Sequence, residues 1–169
     1  MKTIYLAGGC FWGVQKYFDQ FDGVKATQAG YANGKTENPT YEDVKHHDSG
    51  HAETVKIEFD ENTISITKIL EYYFLAIDPL SVNKQGVDEG INYRTGIYYD
   101  DESNLAEIKA AYKKEEENIG KKIAVELLPL QHFYPAEEYH QKYLEKNPNG
   151  HCHIPLKLMS LAKQQNKSN

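Results

Sequence analysis

The stretch Thr3-Ile4-Tyr5-Leu6-Ala7-Gly8-Gly9-Cys10-Phe11-Trp12-Gly13 (residues 3–13) decides the fold, because it changes from strand to helix within a few positions. Residues 3–7 favour extended structure and predict a strand, which Gly8-Gly9 ends. From Cys10 to Gln20, apolar side chains recur at the three- and four-residue spacing of a helix packed on a core. This part of the chain is therefore predicted as a strand that leads into a helix through a glycine turn.

Strands and helices alternate along the rest of the chain. Further strands are predicted at residues 24–31, 54–59, 93–99 and 123–128. Further helices are predicted at residues 66–77, 102–119 and 136–145. Residues 35–52 and 79–92 show no period and are predicted as long loops, and little regular structure is expected after residue 147. The alternation indicates an α/β fold, a plait-like two-layer sandwich of a mixed β-sheet flanked by helices, with long loops and a coil-rich C-terminal tail.

Length and composition limit the class of protein. The 169 residues fit one domain, with 40% hydrophobic and 26% charged residues, so a real core is expected. The net charge of -6 and a single arginine, Arg94, argue against nucleic acid as a main partner. No apolar run is long enough to span a bilayer, and the segment before Cys10 is too short for a signal core. A cytoplasmic monomer is the expectation.

The sequence contains two cysteines, Cys10 and Cys152, which are too few for a disulfide-rich scaffold or a four-thiolate zinc site. Cys10 falls in the first turn of the predicted helix. Free backbone N–H groups and the partial positive charge of a helix N-terminus stabilise a thiolate, so this position predicts a pKa below the ordinary value of about 8.5. An inert, buried cysteine is the alternative for this residue alone.

Gly9-Cys10-Phe11-Trp12-Gly13 resembles the signature of the A-type peptide methionine sulfoxide reductases, and the resemblance extends over nearly the whole chain. Four further blocks match that family in order. They are Tyr41-Glu42-Asp43-Val44, Gly50-His51-Ala52-Glu53, the block from Asp88 to Arg94, and a C-terminal region made of Ala136 to Gln141 and Asn147 to His153. Five blocks in order are difficult to explain by chance.

The resemblance implies reduction of methionine S-sulfoxide, free or within proteins, to methionine. It implies that Cys10 attacks the sulfoxide sulfur and that Glu53 is the general acid, since sulfoxide oxygen leaves only when it is protonated or strongly hydrogen-bonded. The remaining roles are also carried over by resemblance. They are Tyr41 and Tyr93 as hydrogen-bond donors to the oxygen, Phe11 and Trp12 as the cup for the substrate methyl group, and Asp88 as an organising carboxylate. Arg94 is expected to be structural.

The resemblance further implies that Cys10 becomes a sulfenic acid and that Cys152 resolves it as a disulfide. Thioredoxin or another external dithiol would reduce this disulfide, without a bound cofactor or metal. Residues 1–169 would form a single catalytic domain whose extended tail, 145–169, carries the resolving cysteine. The chain departs from the family pattern at Ile91, Asn92 and His151.

Three other functions stay open at this point. A metal site is suggested by His46, His47, Asp48, His51 and Glu53, to which His151-Cys152-His153 adds further ligand-type side chains, although no recognised ligand spacing is present. A cysteine hydrolase would pair Cys10 with His140 or His132 and would leave Trp12, Glu53 and Cys152 without roles. A binding module would hold a sulfoxide without consuming thiols.

Overall fold

The structure is a computed structural model that describes residues 1–46 and 49–160. Within these ranges the strands are β1 (Lys2–Gly8), β2 (Val24–Ala32), β3 (Ala52–Phe59), β4 (Lys84–Gln85), β5 (Asp88–Glu89), β6 (Thr95–Tyr99), β7 (Glu126–Pro129) and β8 (Phe133–Pro135). The helices are α1 (Phe11–Asp19), α2 (Tyr41–Lys45), α3 (Ile66–Ala76), α4 (Leu105–Ile119) and α5 (Tyr143–Lys146). Short 3-10 turns cover Ile91–Tyr93, Glu102–Asn104 and Glu138–His140.

Six strands form one mixed sheet in the order β7-β6-β1-β3-β2-β8. All neighbouring pairs are antiparallel except β6 and β7, which are parallel. Helices α1 and α3 pack against one face of this sheet, and α4 packs on α3. The predicted α/β fold of a mixed sheet flanked by helices is confirmed.

Successive side chains along each strand point to opposite faces of the sheet and so form two hydrophobic clusters. Ile4 and Leu6 of β1 join the main core beneath α1 and α3, whereas Tyr5 and Ala7 face the opposite side with Tyr98. Tyr73 of α3 lies at the centre of the main core. Its hydroxyl donates to the carbonyl oxygens of β1 and β6 and accepts from a β6 amide, which ties the helix to both strands.

The predicted helix over residues 136–145 is wrong. The segment is a 3-10 turn, then extended at Gln141, then α5, and Lys142 between them has a φ of 54°. The Gln141 side chain is the reason, because its amide accepts from the Ala29 N–H and donates to the Ala29 carbonyl oxygen, both at 2.9 Å. A tertiary contact that completes the edge of β2 overrides the local helical pattern.

The two predicted long loops contain short regular elements that the sequence analysis did not identify. Helix α2 lies within residues 35–52 and is capped at its N-terminus by Thr40, whose side chain forms a capping box with Asp43. Residues 79–92 contain the small β4–β5 hairpin and a 3-10 turn. Tyr93 ends that turn, so β6 begins at Thr95 and not at Tyr93. In the tail, residues 156–160 are helical.

The order of strands explains why distant parts of the sequence meet. Strand β1 lies in the middle of the sheet and ends at Gly8, which is opposite Thr95 of β6. Its other neighbour, β3, runs antiparallel and begins near the same edge, so Glu53 lies there too. One end of the sheet therefore brings together the end of β1, the start of β3 and the turn before β6. Helix α1 begins at this end. No helix within the described ranges is long and apolar enough to cross a membrane.

Candidate active site

Cys10 lies at the strand-to-helix turn, as predicted, at the position that caps the N-terminus of α1. Its side chain is only 6% exposed. Burial and the nearby Glu53 carboxyl raise the pKa of the Cys10 thiol well above its ordinary value, and the backbone amide of Trp12 opposes this only in part. The prediction of a lowered pKa is therefore wrong for the substrate-free protein. Loss of water around the sulfur outweighs the favourable helix terminus.

Glu53 is the second buried group of the site, and it lies within β3 and not in the loop before it. Burial raises the pKa of Glu53 to about 8, so the carboxyl group is mostly protonated at neutral pH. Two donors limit the rise. The Phe11 backbone N–H donates to Oε1 at 3.2 Å, and the Asn92 amide donates to Oε2 at 3.4 Å. The first of these bonds joins the acid to the helix turn that carries Cys10.

Tyr41 and Tyr93 are half-buried and lie beside this pair. Burial raises the pKa of Tyr41 to about 12 and that of Tyr93 further, and Glu53 and Cys10, once ionised, raise the pKa of both tyrosines as well. A side-chain hydrogen bond with Tyr93 partly offsets the rise at Tyr41. Both hydroxyls therefore remain neutral donors at physiological pH. The structure brings together the thiol, the carboxylic acid and both tyrosines that the sequence singled out.

Phe11 and Trp12 occupy different environments. Phe11 is fully buried and packs against Tyr31 and His140. Trp12 is partly exposed, and its ring stacks on Tyr143 with centroids 3.7 Å apart. Its indole N–H donates to His140 Nδ1 at 3.0 Å. Trp12 thus provides the accessible aromatic surface, and Phe11 supports it from the core.

Phe11, Trp12, His140 and Tyr143 together form an aromatic wall. The roles of His140 and Tyr143 in this wall were not predicted from the sequence. His140 belongs to the C-terminal block from Ala136 to Gln141, and Tyr143 lies two residues after it. That block was the sequence signal that could have pointed to them. His140 was considered only as a hydrolase base. Its Nδ1 is occupied by Trp12, and His132 instead contacts the Gly34 carbonyl oxygen. The acceptor nitrogen of His140 is therefore taken by Trp12 and is not free to act as a base for Cys10.

Glu137 was also missed, although it organises this side of the site. Its Oε1 accepts from the Tyr31 hydroxyl at 2.8 Å, and its Oε2 accepts from the Tyr41 backbone N–H at 3.0 Å. The carboxylate therefore fixes the start of α2 against β2. This contact sets the position of the Tyr41 side chain relative to Cys10 and Glu53.

Asp88 and Cys152 complete the set of predicted residues. The Asp88 carboxylate raises the pKa of both Cys10 and Glu53 as a minor contribution, which places its charge near them. Its Oδ2 lies 2.8 Å from His151 Nε2. Both cysteines are free thiols, and Cys152 packs on the first turn of α1, where a Cβ on Gly13 would lie 3.2 Å from its Sγ. The tail thus brings the second thiol to the helix end that holds the first.

The residues named for the alternative metal site are not gathered in the part of the chain that the structure describes. His51 is buried between the Gly34 amide and the Thr36 carbonyl oxygen, and His46 pairs with Glu42 at the surface. His47 and Asp48 lie outside the described residues. Across residues 1–46 and 49–160 no group of three or more suitable ligands is found. Arg94 pairs with Glu126 at 2.7 Å, which agrees with the structural role expected for it.

Comparisons with known proteins agree with this geometry. The family model for peptide methionine sulfoxide reductase matches residues 2–169. Peptide methionine sulfoxide reductase MsrA of Lachnoclostridium phytofermentans is 58% identical over 153 residues, which cover 90% of this chain and 92% of that protein.

Two solved structures of Mxr1 from Saccharomyces cerevisiae are also similar. The reduced form has a TM-score of 0.86 at 34% identity and covers 91% of each chain. Mxr1 in complex with Trx2 has a TM-score of 0.60 at 23% identity, covers 84% of each chain, and shows likeness of fold alone. Together with the matches over nearly the full sequence, these findings show that the chain belongs to the peptide methionine sulfoxide reductase family, a family of oxidoreductases.

Proposed function

We propose that this chain acts as a single catalytic domain, residues 1–169, which reduces methionine S-sulfoxide, free or in proteins, with Cys10 as the nucleophile. The observation that carries the proposal is the buried, protonated Glu53 next to a buried thiol. A carboxylic acid that keeps its proton at neutral pH is the group that sulfoxide reduction requires, because the oxygen leaves sulfur only after its negative charge is neutralised.

In the first step Glu53 donates its proton to the sulfoxide oxygen, while the hydroxyls of Tyr41 and Tyr93 donate hydrogen bonds to the same atom. This makes the substrate sulfur electrophilic, and the Cys10 sulfur attacks it as the thiol proton is lost. The sulfoxide oxygen is then transferred to Cys10. Methionine leaves, Cys10 becomes a sulfenic acid, and the two protons are shared between the sulfenic hydroxyl and the Glu53 carboxyl. The substrate is reduced by two electrons and the thiol is oxidised by two.

Selectivity for the S epimer follows from the two sides of the site. Trp12, backed by Phe11, offers an aromatic surface for the methyl group on sulfur, with a contact energy of about 0.3–1.5 kcal/mol. Glu53 and the tyrosines occupy the side that receives the oxygen. With the methyl group and the oxygen fixed in this way, only one epimer presents its sulfur atom to Cys10. The charge of Asp88 beside Glu53 helps to keep the acid protonated.

In the second step the Cys152 thiol attacks the Cys10 sulfenic acid, which forms a disulfide and releases water. The position of Cys152 on Gly13 supports this role. An external dithiol of the thioredoxin type then reduces the disulfide, so the chain needs no bound cofactor or metal and works as a monomer. The similarity in fold to Mxr1 in its complex with Trx2 supports a thioredoxin as the partner.

A single-turnover assay tests the proposal. Fully reduced protein, freed of small thiols, is mixed with the separate S and R epimers of a blocked methionine sulfoxide, and both methionine and remaining thiols are counted. The expected result is one equivalent of methionine and loss of both thiols with the S epimer alone. The Cys152→Ser variant should still form methionine once but should stop turning over with thioredoxin. Absence of both methionine and thiol loss in the unaltered protein would contradict the proposal.

A further inference from the structure

The histidines on either side of Cys152 hold the tail against the strand-to-helix turn. His151 Nε2 lies 2.8 Å from an Asp88 carboxylate oxygen. His153 Nε2 lies 2.6 Å from the carbonyl oxygen of Gly8. The tail is therefore held on both sides of the thiol.

The contact with Gly8 fixes the tautomer of His153. A carbonyl oxygen only accepts hydrogen bonds, so Nε2 carries the proton and donates it. Burial lowers the pKa of His153, and the ring is therefore neutral at pH 7 with its lone pair on Nδ1. This Nδ1 is buried and has no hydrogen-bond partner among the residues that the structure describes. His153 thus carries a free proton acceptor inside the protein.

His153 Nδ1 and Cys152 Sγ border the same small space above Gly13. A Cβ placed on Gly13 would lie 3.3 Å from Nδ1 and 3.2 Å from Sγ. Glycine at this position leaves the room that both atoms occupy. At Gly9, a Cβ would lie 2.9 Å from His153 Nε2, so the imidazole also requires the glycine turn before Cys10. The unused acceptor therefore borders the same space as the one thiol that the second step must deprotonate.

We propose that His153 is a catalytic residue of the second step, in which Nδ1 takes the proton of the Cys152 thiol as Sγ attacks the Cys10 sulfur. The Sγ–Sγ bond forms and the sulfur–oxygen bond of the sulfenic acid breaks. The proton passes from the imidazole to the departing hydroxyl, so water is released and His153 returns to its neutral form. The inference rests on the proposed function, because the sulfenic acid is the product of its first step.

The electrostatics of the tail explain why a base is needed. Burial raises the pKa of Cys152, although the Ile154 backbone contact and the Lys16 ammonium group oppose the rise, so the side chain keeps its proton as a thiol. In the substrate-free protein this thiol donates to the Ile154 carbonyl oxygen at 3.5 Å, and it turns toward His153 Nδ1 when it reacts. Around the imidazole, the Asp88 carboxylate favours its protonation and His151 opposes it. Disulfide formation should therefore slow as the pH falls through the lowered pKa of His153, because the protonated ring accepts no proton.

The test compares His153→Gln with His151→Gln, which removes the other imidazole of the tail. Glutamine at position 153 keeps an amide N–H for the Gly8 carbonyl oxygen and lacks the basic nitrogen. Reduced protein is mixed with the S epimer and quenched at intervals, and methionine, dimedone-trapped sulfenic acid and disulfide are measured. His153→Gln is expected to close the disulfide about 100-fold more slowly than the unaltered protein, with sulfenic acid accumulating, since a positioned base contributes about 10²–10⁴-fold. His151→Gln should slow closure by less than about tenfold.

Two further readouts separate a base from a structural residue. The rate of disulfide formation in the unaltered protein should fall at acidic pH. In His153→Gln this fall in rate should be absent. Added imidazole should restore closure in His153→Ala, which also serves if the glutamine variant folds poorly. Closure within about threefold of the unaltered rate in His153→Gln would overturn the inference while leaving the proposed function intact. Failure of the unaltered protein to form methionine would overturn both.

Discussion

Replacement of Glu53 by glutamine should make the folded protein more stable relative to the unaltered protein, by an amount that grows as the pH rises. The folded state holds a proton on Glu53 up to a pKa of about 8, whereas the unfolded chain releases it near the ordinary value of 4.5. Between these values the folded state binds more protons, so the unaltered protein loses stability with increasing pH. Glutamine cannot ionise, and the Glu53→Gln variant should therefore lack this loss.

The size of the effect follows from the width of the window. One pH unit within it is worth about 1.4 kcal/mol, so the difference in unfolding free energy between variant and parent should grow by about 3 kcal/mol from pH 5.5 to 7.5. Urea unfolding of the reduced proteins, followed by tryptophan fluorescence and circular dichroism, measures this difference at each pH. The change with pH is the informative quantity, because the loss or gain of hydrogen bonds to Phe11 and Asn92 adds a constant. A difference that stays within about 1 kcal/mol across the range would refute a buried, protonated acid.

Three further perturbations have defined outcomes. The rate of methionine formation should fall above about pH 8 as Glu53 ionises. Asn92→Ala should move this fall to higher pH, because the Asn92 amide stabilises the Glu53 carboxylate. Single-turnover rates across pH 6–10 measure where the fall occurs. Gly13→Ala should push Cys152 outward, since the new Cβ would lie 3.2 Å from its Sγ, and iodoacetamide should then alkylate Cys152 severalfold faster. Tyr73→Phe should lower the unfolding free energy by about 1–3 kcal/mol, because buried backbone groups of β1 and β6 lose their partner; urea denaturation checks this.

Each of these has a control or a contrary result. If the rate of methionine formation in Asn92→Ala falls at the same pH as in the unaltered protein, a group other than Glu53 governs that fall. Alkylation in Gly13→Ala at the parent rate would mean that the tail does not rest on α1 in solution. Tyr139→Phe is the control for Tyr73, since the Tyr139 side chain is 57% exposed and should change stability by less than about 0.5 kcal/mol.

The strand, glycine turn and helix of residues 3–20 could be predicted because their signals are local. Alternation and helical periodicity report which side chains face the core, and these patterns located β1, α1, β3 and α3 to within a few residues. The failure at residues 136–145 has the opposite cause. Gln141 bonds to the backbone of Ala29, and no local pattern reports a contact across 112 positions.

The site shows the same division. Motif resemblance identified Cys10, Glu53, Tyr41 and Tyr93, and the structure brings them together. The protonation of Cys10 could not be predicted, because it depends on burial by elements far away in the sequence. The matched C-terminal block contains His140, but the contact of His140 with Trp12 could not be predicted, because it joins residues 128 positions apart.

The hydrogen bond between Trp12 and His140 joins residues 128 positions apart. A ribosome that has just translated the first helix has yet to make the residues that stack on the indole ring. The growing chain therefore carries Cys10 for most of synthesis without the aromatic wall beside it. During synthesis, that wall can therefore form only after the C-terminal quarter of the chain has emerged and docked.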